Sequence, residues 1–327
     1  MRIVKYICSF ILLFVIYSNT FAQDPTYSQF YANKLWLAPS FAGATEDYRL
    51  TMNYRNQWPG ISNIYNTYSV SFDKALPQYN SGIGIIASYD VAGSGDLSNT
   101  TIGALYSYDI KINNTWHVRP GVNFKFQYLG LDINKLIFNS NINNTPPVIP
   151  PTFDNSASID FASSIIAYND RIWSGVTVDH MLTPKISFYG DESRVPVKVN
   201  LYGGIQIIKK QRLKIERQDV VSLAVNLQTQ GKFYQADVGV YYARPPLILG
   251  LWYRGIPGLS NQPGDAVIGL AGLKTKNIFV GYSYDFTISS LNRATVGAHE
   301  ISFIYEFNRF FERNGKQRMR ALPCPEF

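Results

Sequence analysis

The chain has 327 residues, 46% of them hydrophobic, with 23 Tyr and 20 Phe against 16% charged residues, and that length holds one large all-β domain or two ordinary ones. Mean hydropathy is -0.09, and beyond the leader no apolar run is long enough for a spanning helix, which excludes a helical membrane bundle. The formal charge of +7 is mild, and aromatic residues interleaved with strands do not make a nucleic-acid groove, so nucleic acid is excluded as a partner.

Arg2 and Lys5, an apolar run from Tyr6 to Tyr17, and Thr20-Phe21-Ala22 before Gln23 have the plan of a secretory signal. They predict a signal peptide over 1–22, cleaved after Ala22, and an exported protein. Removing the two cations lowers the formal charge from +7 to +5. Cys8 leaves with the leader, so Cys324 is the one remaining thiol and no internal disulfide can form. That thiol is either inert or available for an intermolecular link. The next stretch, 23–47, lacks strand alternation. Tyr27, Phe30, Tyr31 and Leu35 fit one face of a short helix that Pro39 would end, which reads equally as a helix at a barrel mouth or as a plug in its lumen.

From Tyr48 to Phe307 apolar and polar residues alternate with period two. Tyr48, Leu50, Met52 and Tyr54 alternate with Arg49, Thr51, Asn53 and Arg55. Farther on, Trp116, Val118, Val122, Phe124, Phe126 and Tyr128 alternate with His117, Arg119, Asn123, Lys125 and Gln127. The last run sets Ile301, Phe303, Tyr305 and Phe307 against Glu300, Ser302 and Glu306. The fold class is therefore all-β: an antiparallel transmembrane β-barrel of about 14 strands, aromatics toward lipid and polar residues toward the lumen, the last strand closing on the first. The candidate lumenal residues are Arg49, Arg55, Arg119, Lys125, Asp285, Glu300 and Glu306, with Asp109 and Asp237. Connections alternate between short (Lys111 to Asn114, Asn169-Asp170, Ala243 to Pro246, Thr275-Lys276) and long (Asn56 to Asn66, Leu129 to Ser158, His180 to Pro196, Gly255 to Gly264, Thr287 to Val296). This asymmetry predicts short periplasmic turns and long external loops. Lys209 to Gln218 is long for a periplasmic turn, and the turn at Gly231 is short for an external one.

Beyond the barrel, 308–327 is a basic tail. Its Arg309, Arg313, Lys316, Arg318 and Arg320 are candidates for docking a partner in the periplasm. His117, His180 and His299 stand in no metal-ligand spacing and beside no nucleophile motif. Their pattern predicts no enzyme, no metal and no cofactor, with a hydrolase assembled from separate loops as the weak competitor.

Several stretches resemble the PorP/SprF family of type IX secretion and gliding-motility outer-membrane proteins. They are Asp24-Pro25 with Ser28-Gln29-Phe30, Ala38-Pro39-Ser40-Phe41-Ala42-Gly43, Tyr54-Arg55-Asn56-Gln57-Trp58, Tyr284-Asp285-Phe286 with Ser289, Gly297-Ala298-His299-Glu300-Ile301, and Cys324-Pro325. Ala298 departs from an expected serine, and Ala38 from the usual asparagine. The resemblance implies an outer-membrane barrel without turnover or cofactor that supports secretion or surface attachment of adhesin cargo. It also implies periplasmic ring or peptidoglycan-binding components as partners, and lipid around the wall. The alternative is a porin-like or hydrophobic-substrate transport barrel with an N-terminal hatch.

Overall fold

The computed structural model describes residues 24–45, 48–61, 65–93, 95–132, 135, 155–187, 193–211, 218–255, 266–288 and 296–307. The leader 1–22 and the tail residues Arg309, Arg313, Lys316, Arg318 and Arg320 lie outside them.

Alternation over lengths of eight residues and more makes strands with one lipid-facing and one inward face. In chain order they are β1 (Tyr48–Gln57), β2 (Tyr65–Leu76), β3 (Ser81–Ala92), β4 (Leu97–Tyr108, resuming at Ile110–Lys111), β5 (His117–Gly130), β6 (Ser156–Tyr168) and β7 (Ile172–Asp179). The second half comprises β8 (Lys198–Gln211), β9 (Gln218–Gln230), β10 (Phe233–Arg244), β11 (Leu247–Arg254), β12 (Ala266–Lys274), β13 (Ile278–Thr287) and β14 (Ala298–Phe307). Each strand pairs antiparallel with the next. β14 returns to β1 in a register that sets Tyr48 opposite Phe307 and Arg55 opposite Glu300, so the 14-stranded barrel is closed.

Two irregularities refine the sequence reading. β4 is interrupted at Asp109, whose N–H turns to the Asn80 carbonyl. In β8 the partners step from Ile208 opposite Val221 to Gln206 opposite Ser222, leaving Ile207 as the extra residue of a bulge. The strands on either side then run on to Gln211 and from Gln218, so the connection that looked long is only 212–217.

Outward positions such as Ile85, Ile102, Phe124, Ile159, Leu251 and Ile301 are exposed, Phe124 at 61% and Ile159 at 67%. A continuous apolar belt of this kind is stable against lipid and not against water. No helix among the described residues is long and apolar enough to cross a membrane.

The lumen is filled by residues 24–45, a one-turn helix α1 (Lys34–Leu37) and a 3-10 turn (Pro39–Phe41) within an otherwise irregular path. The single helical face expected for Tyr27, Phe30, Tyr31 and Leu35 does not form. Those four are buried, but so are Ser28, Gln29, Asn33 and Lys34, because the wall surrounds the segment on every side. A chain enclosed by side chains can satisfy its backbone from the wall and needs no helix to do so. The segment begins at the end of the barrel with the long connections, where Asp24 meets His180 and Lys198. It ends beside the short turns, where Ala42 and Gly43 meet Ser107, Arg119 and Asp73.

Candidate functional site

Three sets of wall residues grip the lumenal segment. The first lies toward the long-connection end. Arg55 donates from Nη2 to Asp285 Oδ2 at 2.9 Å, and from Nη1 to Glu300 Oε2 at 3.1 Å and Ser28 Oγ at 2.6 Å. Glu300 accepts the main-chain N–H groups of Ser28 at 2.7 Å and Gln29 at 3.0 Å, while Ser28 Oγ donates to Asp285 Oδ2 at 2.6 Å. Arg254 joins from β11, donating to Asp237 Oδ1 at 2.9 Å, Asp285 Oδ2 at 3.1 Å and Ser28 Oγ at 3.2 Å. Charges this deeply buried persist only when paired and hydrogen-bonded, and here each guanidinium has two carboxylates.

The second set holds the other end of the segment. Arg119 Nη2 donates to the carbonyls of Ala42 at 2.6 Å and Gly43 at 3.0 Å, and Ser107 Oγ to Ala42 at 2.7 Å. The Gly43 N–H reaches Asp73 Oδ2 at 2.8 Å, and Asp73 is held by Arg49 Nε at 2.9 Å. The wall is thinned where the segment touches it. A Cβ on Gly121 would fall 2.3 Å from Ser40 N, and one on Gly82 2.0 Å from Ala42 O.

The third set closes the long-connection mouth. His180, just past β7, donates from Nε2 to Asp24 Oδ2 at 2.8 Å and from Nδ1 to Asp160 Oδ2 at 2.6 Å. Lys198 lies 3.2 Å from Asp24, and Lys125 bridges Asp160 at 3.3 Å and Asp179. Burial alone would lower the His180 pKa, but the Asp24 charge and the hydrogen bonds to Asp160 and Asp24 outweigh it and raise it from 6.5 to about 9. For Asp24 burial acts upward, and Lys198 and His180 nonetheless hold it well below its usual 3.8. Ligand atoms of Asp24, Asp179 and His180 come within 4.8 Å of one another, a spacing that would suit a metal ion. Lys125 and Lys198 already supply the positive charge there. His180 is bracketed by two carboxylates rather than by a carboxylate and a nucleophile, so its geometry is that of an ion-pair relay.

Between these polar sets the wall along β7 to β11 carries a cluster of aromatic rings. Trp173, Tyr202, Tyr241 and Trp252 point inward and are fully buried. Trp173 sits opposite Gly204 and Tyr202 opposite Gly175, while Trp252 sits opposite Gly239 and Tyr241 opposite Gly250. A Cβ on Gly239 would lie 2.2 Å from the Trp252 ring, so the glycines let the rings lie flat across the neighbouring strand. On this surface rest Phe30, 4.9 Å from Trp252 between ring centroids, and Tyr31, 5.9 Å from Trp252 and 6.3 Å from Trp173.

Of the sequence-predicted lumenal residues, Arg49, Arg55, Arg119, Lys125, Asp285 and Glu300 are buried inside. Arg55, Asp285 and Glu300 meet in one cluster, Arg49 and Arg119 serve the opposite end, and Lys125 belongs to the mouth. Glu306 has inward parity but is half-buried near the rim, its N–H bonded to the Asn277 carbonyl. His299 faces outward between Tyr282 and Tyr284, its Nδ1 2.8 Å from Tyr282 Oη. Sequence reasoning missed Arg254, Lys198 and the inward aromatics. The signal for Arg254 was a lone cation ending an otherwise apolar strand.

A family model described as the type IX secretion system membrane protein PorP/SprF matches residues 19–305. No curated protein matches the chain. Among solved structures, the P. putida toluene transporter TodX is similar at 9% identity and a TM-score of 0.49, over 83% of this chain and 93% of that one. The Acinetobacter baumannii outer membrane protein Omp33 is similar at 8% identity and a TM-score of 0.45, over 81% of this chain and 100% of that one.

Proposed function

We propose, from the premise that the chain belongs to the PorP/SprF family of type IX secretion system membrane proteins, that its work is done by the two ends of a closed barrel. A membrane family and a closed antiparallel barrel with an apolar belt make it a secretion-associated outer-membrane barrel. In this reading it performs no turnover. Its external face supports secretion or surface attachment of adhesin-type cargo, as in gliding motility. Its periplasmic face docks ring or peptidoglycan-binding components, with Arg309, Arg313, Lys316, Arg318 and Arg320 as the handle. The observation that carries the reading is the filled lumen: residues 24–45 bind the wall at both ends and along the middle, which favours a platform over a conduit.

A mild-detergent pull-down of the tagged mature protein, with and without 308–327, tests it. A large surface adhesin is expected to co-purify with both forms, and a periplasmic machine component only with the longer one. Recovery of a solitary barrel would overturn the anchoring role. A transport barrel with residues 24–43 as its hatch is the second reading, favoured because the segment is joined to the wall by side-chain contacts that exchange can break. Bilayer conductance that appears only after deletion of 24–43 would establish it.

A further inference from the structure

Asp24 occupies a pocket whose parts all belong to the wall. His180 Nε2 lies 2.8 Å and Lys198 Nζ 3.2 Å from Asp24 Oδ2. Gln230 addresses two parts of the same residue: its Nε2 is 3.4 Å from Oδ1, and its Oε1 accepts the Asp24 main-chain N–H at 3.2 Å. These three side chains stand just past β7, at the start of β8 and at the end of β9, so the sheet sets their spacing without help from the segment. Preset donors for a carboxylate together with an acceptor for the adjoining N–H recognise an acidic residue within a peptide chain.

Charge makes the pocket demand an occupant. Lys125, Lys198 and protonated His180 are joined by contact to Asp24, Asp160 and Asp179, and Asp90 of β3 lines the same cavity. Of the three contacting carboxylates only Asp24 comes from the segment. Withdrawing it leaves Lys198 and His180 facing a largely buried space with one anion fewer, which is costly unless another anion enters. The two ends of the segment also differ in freedom. Gly43 is bonded to Asp73 and Arg119 of the wall, whereas Asp24 keeps 18% side-chain exposure at the mouth.

We propose that His180, Lys198 and Gln230 form a carboxylate-reading peptide site at the long-connection mouth, occupied in cis by Asp24 and open by exchange to an acidic segment of a second protein chain. A tethered occupant competes at an effective concentration on the order of millimolar. A trans segment therefore succeeds only when its own chain is already docked at that mouth. The site stands apart from the anchoring reading, and a failed pull-down would leave it untouched.

The test uses the purified mature protein in detergent and a variant lacking residues 24–26 with Gln23 retained. The probes are two labelled peptides, acetyl-Gln-Asp-Pro-Thr-Tyr and its Asn counterpart. The shortened variant is expected to bind the Asp peptide at least tenfold more tightly than the full chain does, and at least tenfold more tightly than it binds the Asn peptide. Lys198→Gln in that variant is expected to abolish the preference. Equal binding of both peptides, or a preference that survives Lys198→Gln, overturns the proposal. Should the shortened chain fail to assemble, hydrogen exchange on the full chain decides. Excess Asp peptide speeds exchange of the Ser28 and Gln29 amides if the site is real, and equal rates with both peptides overturn it.

Discussion

Along β7 to β11 the lumenal wall meets the segment with Trp173, Tyr202, Tyr241 and Trp252, whereas along β1, β13 and β14 it meets it with Arg55, Asp285 and Glu300. The aromatic side contributes area. Each ring that leaves water is worth roughly 1.5–3 kcal/mol, with little dependence on direction, so this side sets how strongly the segment is held. The charged side contributes direction. Its bonds form only when Ser28 and Gln29 stand opposite Glu300, so it sets where along the axis the segment stops. Affinity and register are thus divided between two faces of one lumen.

The comparison breaks most visibly at Glu300. Glu300→Ala leaves Arg55 with Asp285 as its one carboxylate and strands two main-chain N–H groups, and should cost about 3–5 kcal/mol. Hydrogen exchange at Ser28 and Gln29 should rise at least tenfold. Trp252→Ala should cost about the same, about 3–5 kcal/mol in denaturant unfolding, yet leave exchange at Ser28 close to wild type; faster exchange in both variants would erase the division of labour. The outer surface gives the next contrast: Phe303→Arg on the lipid side should cost about 2–4 kcal/mol in assembly, and Glu306→Arg distinctly less. Gly121→Ala pushes a methyl group against Ser40 and should cost about 1–3 kcal/mol, loosening the segment near Ser40 and sparing Asp24.

The last contrast is the pH dependence of the mouth. A histidine whose pKa is raised on folding contributes its stabilisation fully below 6.5 and loses it as pH rises through about 9. Stability should therefore fall across that window, and His180→Gln should flatten the slope. An unchanged slope in that variant would remove His180 from the account.

The barrel was legible in the sequence because its cause is local: period-two alternation, clear in most of the fourteen strands, needs only neighbouring residues to be seen. So was the inward direction of Arg55, Arg119, Lys125 and Glu300, which share strands with clear outward aromatics. The aromatic side was not legible, since β11 is apolar at nearly every position and alternation vanishes when both faces avoid water. Nor was the partnership of Ser28 with Asp285 and Glu300, separated by 257 and 272 residues. Nothing local marks such a contact. The segment's path was ambiguous for a related reason, because a chain enclosed on all sides has no polar face to betray its orientation.

Arg55 and Glu300 face each other across the join between the first strand and the last, and both hold Ser28. The final stitch of the cylinder is thus made around the residue that the cylinder encloses. An empty barrel sealed at that join would carry Arg55, Arg254, Asp285 and Glu300 with their innermost partner missing. Sealing and filling therefore favour one another: a barrel closed without the segment lacks the bonds that Ser28 and Gln29 make to Arg55, Arg254, Asp285 and Glu300.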